Sequence, residues 1–523
     1  MSTKKLFWRA FSFFHRLFDI VIHYLFKIAN FGKREELPPL NNLLLLSSAT
    51  SLAAKIRKKK LKSFDLVSAY ISRVKDINPL INAAVNYRYE EALEEARKVD
   101  EMIACSYKTE EELERETPFL GVPLSVKEII AVTGLPLSAG LVSRKNARSG
   151  YNAQTVQLMK AAGAIPFVTT NISELGMWYE AYNKVYGRTN NPYDTNRTCG
   201  GSSGGEGALV GGAGSVIGLG SDIGGSIRIP AFFNGVFGHK PTSEVVSNYG
   251  TYPPSGEREF VPYLCIGPLC RYATDLIPMM KVLAGKNESL LRLDIPVKLN
   301  ELKIYYIEDV GNHVMFTKVD SDMVDAIHKV LHHFEVAYKI VPKKLELRSL
   351  KYMYMMWASA ISSCKAPTFS DELAERKGII HFKLELLQWL IGQSRFTFPA
   401  IILGLTESTM LGPSDFYSNM VKDLKQELED ILGEDGILLF PTHPTCAPHH
   451  YEALFKPFNF AYTGIFNIFG FPVTQCPLGL GREKLPVGVQ VIANAYNDRI
   501  TLAVAVELEK AFGGWIPPSA IVG

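Results

Sequence analysis

No C-x-x-C pair occurs among the seven cysteines of this 523-residue sequence; Cys105, Cys199, Cys265, Cys270, Cys364, Cys446 and Cys476 are scattered and odd in number. Such a set gives neither a disulfide framework nor a zinc site, so a reducing compartment is allowed, although a lumenal one is not excluded. Charge of one sign is also lacking. The formal net charge is +3, and no lysine and arginine stripe alternates with aromatics, so no nucleic-acid partner is called for. The one basic run, Arg57, Lys58, Lys59 and Lys60, reads as a solvated helix face. No Pro/Ser-rich linker and no internal repeat divides the chain after its N-terminal segment, which predicts one large domain. With 47% hydrophobic and 21% charged residues, it has ample means to bury a core.

What is present begins with an unusual N-terminus. Residues 6–28 are rich in Phe, Leu, Ile, Trp and Tyr, while Arg9, Ser12, Arg16, Asp19, His23 and Lys27 recur at steps of three, four or seven, one stripe of a helix. Such a helix lies in a membrane interface, or spans with Arg16 and Asp19 near its centre at a few kcal/mol each, or packs on the domain as an ordinary amphipathic helix. No uninterrupted apolar core leads to a small-x-small cleavage site, which disfavours a signal peptide. Pro38 and Pro39 then break the chain. Residues 1–40 therefore read as an anchor and linker, and 41–523 as the folded domain.

From Leu43 onward, strands and helices alternate. The apolar runs 164–168, 302–307, 437–440 and 487–492 suit buried strands, and 321–337 and 500–512 have helical spacing. The fold class is α/β. Residues 381–406 predict a pair of apolar helices joined at Gln393, Ser394 and Arg395, either a second membrane contact or a plain core hairpin.

The chemistry concentrates in one Gly/Ser tract. Twelve of the 26 residues from Gly200 to Gly225 are glycine, more than loop flexibility needs, so the backbone must approach something closely. A P-loop would end in Gly-Lys-Ser/Thr, which is absent, and G-x-G-x-x-G is missed by one residue. The elbow pattern G-x-S-x-G is met at Gly201 to Gly205, but turn-like residues 189–196 stand where that elbow needs a strand.

Val126-Lys127-Glu128, then Gly200-Gly201-Ser202-Ser203-Gly204-Gly205, then Asp222-Ile223-Gly224-Gly225-Ser226-Ile227-Arg228 together resemble the amidase signature family. Lys127 and Ser202 are 75 residues apart and Ser202 and Ser226 are 24 apart, as that family requires. The resemblance implies a large twisted mixed sheet covered by helices on both faces. It implies Ser226 as nucleophile, Ser202 as proton bridge and Lys127 as base, with a cis peptide before Ser202. The amides of Ile223, Gly224, Gly225 and Ser226 would form the oxyanion hole, and Ser203, Asp222 and Arg228 would hold the loop. Neither metal nor cofactor is called for. Chemistry agrees: lysine must lose its proton to act as base, and burial among hydroxyls lowers its pKa. Glu128 would raise it, but strand alternation turns Glu128 to the other face.

Within the family, Gly205-Glu206-Gly207-Ala208-Leu209 and the N-terminal helix look like the fatty-acid amide hydrolases. That likeness implies long-chain primary amides and N-acylethanolamines as lipid substrates, a membrane bilayer as partner, and a place on an intracellular membrane, single-pass or monotopic. It allows a homodimer. A general soluble amidase, an amidotransferase-like glutaminase and a non-catalytic lipid-binding relative remain as alternatives.

Overall fold

A computed structural model describes residues 3–32, 34–254, 262–311, 315–364, 366–407 and 412–522, with side chains from Phe14 onward. The strands are β1 (Ala84–Tyr87), β2 (Pro123–Lys127), β3 (Ile165–Thr170), β4 (Tyr182–Asn183), β5 (Gly187–Arg188), β6 (Ile217–Asp222), β7 (Phe237–Lys240), β8 (Cys265–Cys270), β9 (Lys303–Tyr306), β10 (Lys343–Lys344), β11 (Gly436–Phe440), β12 (Val473–Leu480) and β13 (Pro486–Ile492). All but β4 and β5 join one mixed sheet in the order β1-β3-β2-β6-β8-β7-β12-β13-β11-β9-β10; β4 and β5 form a separate two-stranded ribbon. The four predicted strands are β3, β9, β11 and β13, displaced at their ends by one or two residues. The two predicted helices are Ser321–Tyr338 and Asp498–Phe512.

Both faces of the sheet are covered, and the sequence shows why. Along β11, Ile437 and Leu439 enter one hydrophobic cluster while Leu438 and Phe440 enter the other. A strand apolar at every position must bury both faces. Helices Ser321–Tyr338 and Asp498–Phe512 supply most of their buried residues to the first cluster, and Met353–Ser362 and Ala461–Phe469 theirs to the second. All seven cysteines are free. The basic run departs from expectation at Arg57, which is buried and donates to the Pro118 carbonyl at 3.1 Å.

The N-terminal segment is a helix, Thr3–Ala29. Among the described residues no helix is long and apolar enough to cross a membrane, which corrects the single-pass, transmembrane expectation. The charges at Arg16, Asp19 and Lys27 interrupt its apolar run. Side chains of Arg9 and Ser12 lie outside the described residues, but the rest of the polar stripe is in view, and it faces the domain. Asp19 is buried, His23 Nδ1 is 3.3 Å from Glu452 Oε1, and Lys27 donates to Glu483 at 2.8 Å. Hydrogen bonds donated to the Glu452 and Glu483 carboxylates raise the His23 pKa to about 9. The apolar face, including Leu17, Ile20, Tyr24, Leu25 and Ile28, points away from the domain and is exposed.

Candidate active site

Lys127 is the last residue of β2, buried in a strand of wholly buried residues. Its Nζ lies within hydrogen-bond distance of Ser202 Oγ at 2.7 Å and of Ser221 Oγ at 2.9 Å. Among the described residues no carboxylate lies within 4.0 Å of it. Burial therefore dominates and lowers its pKa to about 7, with Asp222 and Glu206 pulling weakly the other way. Glu128 does turn away, accepting from Ser138 N and Oγ, each at 2.6 Å, and from Ala139 N at 2.9 Å.

The glycine tract brings the serines to this lysine. The Gly201–Ser202 peptide is cis. Helix Gly204–Gly211 follows at once and lies so close to the sheet that a Cβ on Gly205 would meet the Asn171 backbone. On β6, a Cβ on Gly218 would run into the Glu206 carboxyl. That carboxyl is itself buried between Ser125 Oγ at 2.6 Å and Thr170 Oγ1 at 2.7 Å, and burial pushes it up to about 8.

After β6 the chain turns through Ile223, Gly224, Gly225 and Ser226. Asp222 shapes the turn, accepting from Gly225 N at 2.7 Å and Ile227 N at 3.0 Å. Arg228 clamps the same carboxylate through Nε at 3.0 Å and Nη2 at 2.9 Å, and is held by Asn467 Oδ1 at 2.6 Å and the Thr463 carbonyl at 3.0 Å. Burial alone would raise the Asp222 carboxyl; Arg228 and these hydrogen bonds hold it well below the usual carboxylate range. Gly225 has φ +123°, and a Cβ there would strike Thr463 Oγ1. Ser203 Oγ donates to the Ser221 carbonyl at 3.2 Å, and Ser203 N to the Ser226 carbonyl at 3.2 Å, which ties the two serine segments together.

Ser226 is half-buried, and its hydroxyl has no partner among the described residues; the Ser202–Ser226 link is not a formed hydrogen bond. Of the four predicted hole amides, that of Gly225 is occupied by Asp222, while those of Ile223, Gly224 and Ser226 meet no acceptor among the described residues. Sequence reading missed Ser221, Thr463, Asn467 and Glu206 as members of the site. It also missed an aromatic wall: Trp357 donates to the Ile223 carbonyl at 3.1 Å and stands edge-on to Phe460, whose ring a Cβ on Gly224 would meet at 3.3 Å.

Residues 174–180 connect this centre to a cavity. A Cβ on Gly176 would sit 3.6 Å from Ser202 Oγ, and the Trp178 carbonyl packs on Gly201. Glu174, Met177 and Trp178 also line a cavity of about 380 Å³ whose other walls include Trp389, Phe398 and Leu403. These last belong to the predicted helix pair, Phe382–Leu390 and Phe398–Glu407. The first helix is the outer one, with Leu384, Leu387, Leu390 and the following Ile391 exposed; Phe398 and Ile401 of the second face inward.

Comparison with known proteins bears on the family and the fold. A family model described as Amidase matches residues 65–502. Fatty-acid amide hydrolase 2 of Homo sapiens is 48% identical over 489 residues, covering 92% of this chain and 92% of that protein. Fatty-acid amide hydrolase 2-A of Danio rerio is 47% identical over 488 residues, again with 92% of each chain covered. Among solved structures, one titled fatty acid amide hydrolase has a TM-score of 0.73 at 23% identity, covering 91% of this chain and 87% of that one.

Proposed function

The chain belongs to the amidase family, and from that premise we propose that it hydrolyses long-chain fatty acid amides, both primary amides and N-acylethanolamines, at a membrane surface. The observation that carries the reading is the buried Lys127, 2.7 Å from Ser202 and unpaired by any carboxylate among the described residues. A lysine with a pKa of about 7 is substantially neutral at physiological pH, so it takes the Ser202 proton while Ser202 takes that of Ser226. The relay requires Ser226 to turn its hydroxyl toward Ser202, and no hydrogen bond among the described residues opposes the turn.

Ser226 Oγ then attacks the amide carbon. Negative charge develops on the carbonyl oxygen, where the open amides of Ile223, Gly224 and Ser226 receive it. The proton returns through Ser202 to the leaving nitrogen, the C–N bond breaks, and free amine departs from an acyl-enzyme on Ser226. Water, activated by the same relay, releases the fatty acid. The names of the most similar relatives support lipid amides as substrates. So do the Trp357 and Phe460 wall and the cavity walled by Met177, Trp178, Trp389, Phe398 and Leu403. Exposed apolar faces on helices Thr3–Ala29 and Phe382–Leu390 support a membrane-surface enzyme.

The test joins labelling to turnover. A fluorophosphonate should modify Ser226, and Ser226→Ala should abolish both labelling and hydrolysis. Membrane fractions should cleave oleamide and anandamide in preference to short-chain amides and glutamine. An adduct mapped to Ser203, or activity confined to glutamine or acetamides, would refute the reading.

A further inference from the structure

Resting on that reading, we infer that the cavity beneath helices Phe382–Leu390 and Phe398–Glu407 is a site for the free fatty acid product, with its carboxylate anchored by Arg188. Arg188 ends the short ribbon strand β5 and lines the cavity. Its guanidinium carbon stands 3.9 Å from the Tyr451 ring centroid and 4.9 Å from that of Tyr182. Among the described residues no carboxylate comes within 4.0 Å of it, and its Nε is buried with no acceptor. Stacking on two rings fixes the guanidinium plane but leaves its N–H edge unused.

Two more residues of the cavity lining carry unmatched polar atoms. Trp178 Nε1 is a buried donor with no acceptor, and Glu174 Oε1 is buried with no partner. The other oxygen of Glu174 accepts from Thr397 N at 2.8 Å and Thr397 Oγ1 at 2.7 Å. Burial raises this carboxyl to about 7, with Lys184 and Glu385 as its charged neighbours, which weakens its repulsion of an anion in the cavity. Glu180, the other acid of the lining, is engaged by Tyr451 N at 3.0 Å.

The Arg188 guanidinium and the Trp178 indole, two unmatched donors among largely apolar walls, ask for an acceptor-rich anion on an apolar tail. An alcohol or neutral amide offers one acceptor oxygen in place of two and leaves the guanidinium without a counter-charge. The volume lies near the low end of the roughly 300–1,000 Å³ typical of small-molecule pockets, which suits one acyl chain rather than a two-chained phospholipid. A single-chain carboxylate is what the proposed hydrolysis releases from Ser226, and the loop that lines the cavity packs on Ser202 of the same relay. Product held here competes with incoming amide for the cavity.

The experiment measures equilibrium binding of oleate, oleyl alcohol and dioleoyl phosphatidic acid to full-length Ser226→Ala protein, in which turnover is blocked. Oleate should bind at least about tenfold tighter than oleyl alcohol, the scale of one charge-assisted hydrogen bond, and Arg188→Gln should erase that preference. Thermal unfolding of the double variant checks that it folds. If it does not, Arg188→Lys carries the test, keeping the charge but losing the stacked fork, and should weaken oleate binding several-fold while sparing the alcohol. Oleate affinity unchanged by either folded variant, or tighter binding of phosphatidic acid, overturns the site. An enzyme that labels and hydrolyses normally but shows no Arg188-dependent preference sinks this inference alone. A protein inert to fluorophosphonate that still binds oleate through Arg188 sinks the proposed reaction and leaves the site standing.

Discussion

Lys127 and Ser202 share a hydrogen bond of 2.7 Å at the junction of β2 and the glycine tract, and both side chains are almost fully buried. Because burial lowers the lysine pKa to about 7, the base form grows in as pH rises. The expected kcat/KM for oleamide therefore climbs through about pH 7 and levels above it. A flat profile from pH 5.5 to 9 would dissociate lysine ionisation from catalysis.

Replacing Lys127 by Ala should cost several orders of magnitude on amides and less on matching esters. An amine must be protonated to leave, whereas an alkoxide departs more readily. The amide-to-ester rate ratio measures this, and equal losses would mean that the lysine delivers no proton to the leaving group.

The same ionisation carries a stability signature. Between about pH 7 and the ordinary lysine value of 10.5, the unfolded chain holds a proton on Lys127 that the folded chain lacks. Unfolding free energy from this group therefore rises with pH across that window, and the cost of burying it is fully present below. Glu206, raised to about 8 from 4.5, acts oppositely, losing stability as pH rises from 4.5 to about 8. In Lys127→Met the rise of Tm between pH 8 and 10 should be flatter than in the parent; parallel curves would refute the neutral buried lysine.

Asp222 organises the turn that presents Ser226, and its partner Arg228 is buried with it. Asp222→Ala should cost about 3–5 kcal/mol in urea unfolding, because a buried guanidinium is left uncompensated. Gly225→Ala should be milder on stability but severe on function, since its Cβ must displace Thr463 and strain φ +123°. Fluorophosphonate labelling of Ser226 should slow by about 10²-fold or more, the usual penalty for a spoiled oxyanion hole. Unchanged labelling of a folded Gly225→Ala protein would place the hole elsewhere.

Which parts were legible in the sequence follows from what kind of relation each involves. Lys127 and Glu128 were separable because strand alternation is local, and the need for close approach was visible in twelve glycines. Ser221 was not, because its contact with Lys127 depends on the parallel β2–β6 register, in which Val126 pairs with Leu219. Asn467 and Thr463 likewise reach Asp222 and Gly224 from more than 200 residues away. For helix Thr3–Ala29, periodicity revealed a polar and an apolar face but not that the polar one turns inward.

That inverted docking sharpens the expectation for truncation. Without residues 1–32, Glu452 keeps Lys456 at 2.6 Å and Glu483 keeps Arg197 at 2.7 Å, and water replaces His23 and Lys27. The truncated protein should fold, retain Ser226 labelling and sediment less with liposomes. Aggregation with loss of labelling would instead make the helix part of the folded body.

The helix pair at 381–406 supplies the last expectation, and its two helices must be tested at different positions. Phe398 packs on Trp389, with ring centroids 4.8 Å apart, and lines the cavity, so a charge there would damage the pocket whether or not a membrane is involved. Leu387 and Leu390 are 62% and 67% exposed. Aspartate at an exposed site costs little folding energy in water, but each one is costly to bring into a lipid interface. The Leu387→Asp/Leu390→Asp protein, in a form lacking residues 1–32, should therefore unfold at nearly the parental temperature and hydrolyse short soluble amides as before. It should leave liposomes and turn over vesicle-borne oleamide several-fold more slowly. The neighbouring cations Lys383 and Arg395 would then be the headgroup contacts, and binding should strengthen with anionic lipid. If the double variant stays on liposomes with oleamide turnover intact, the outer face of Phe382–Leu390 is solvent-facing, and the lipid substrate enters by another route.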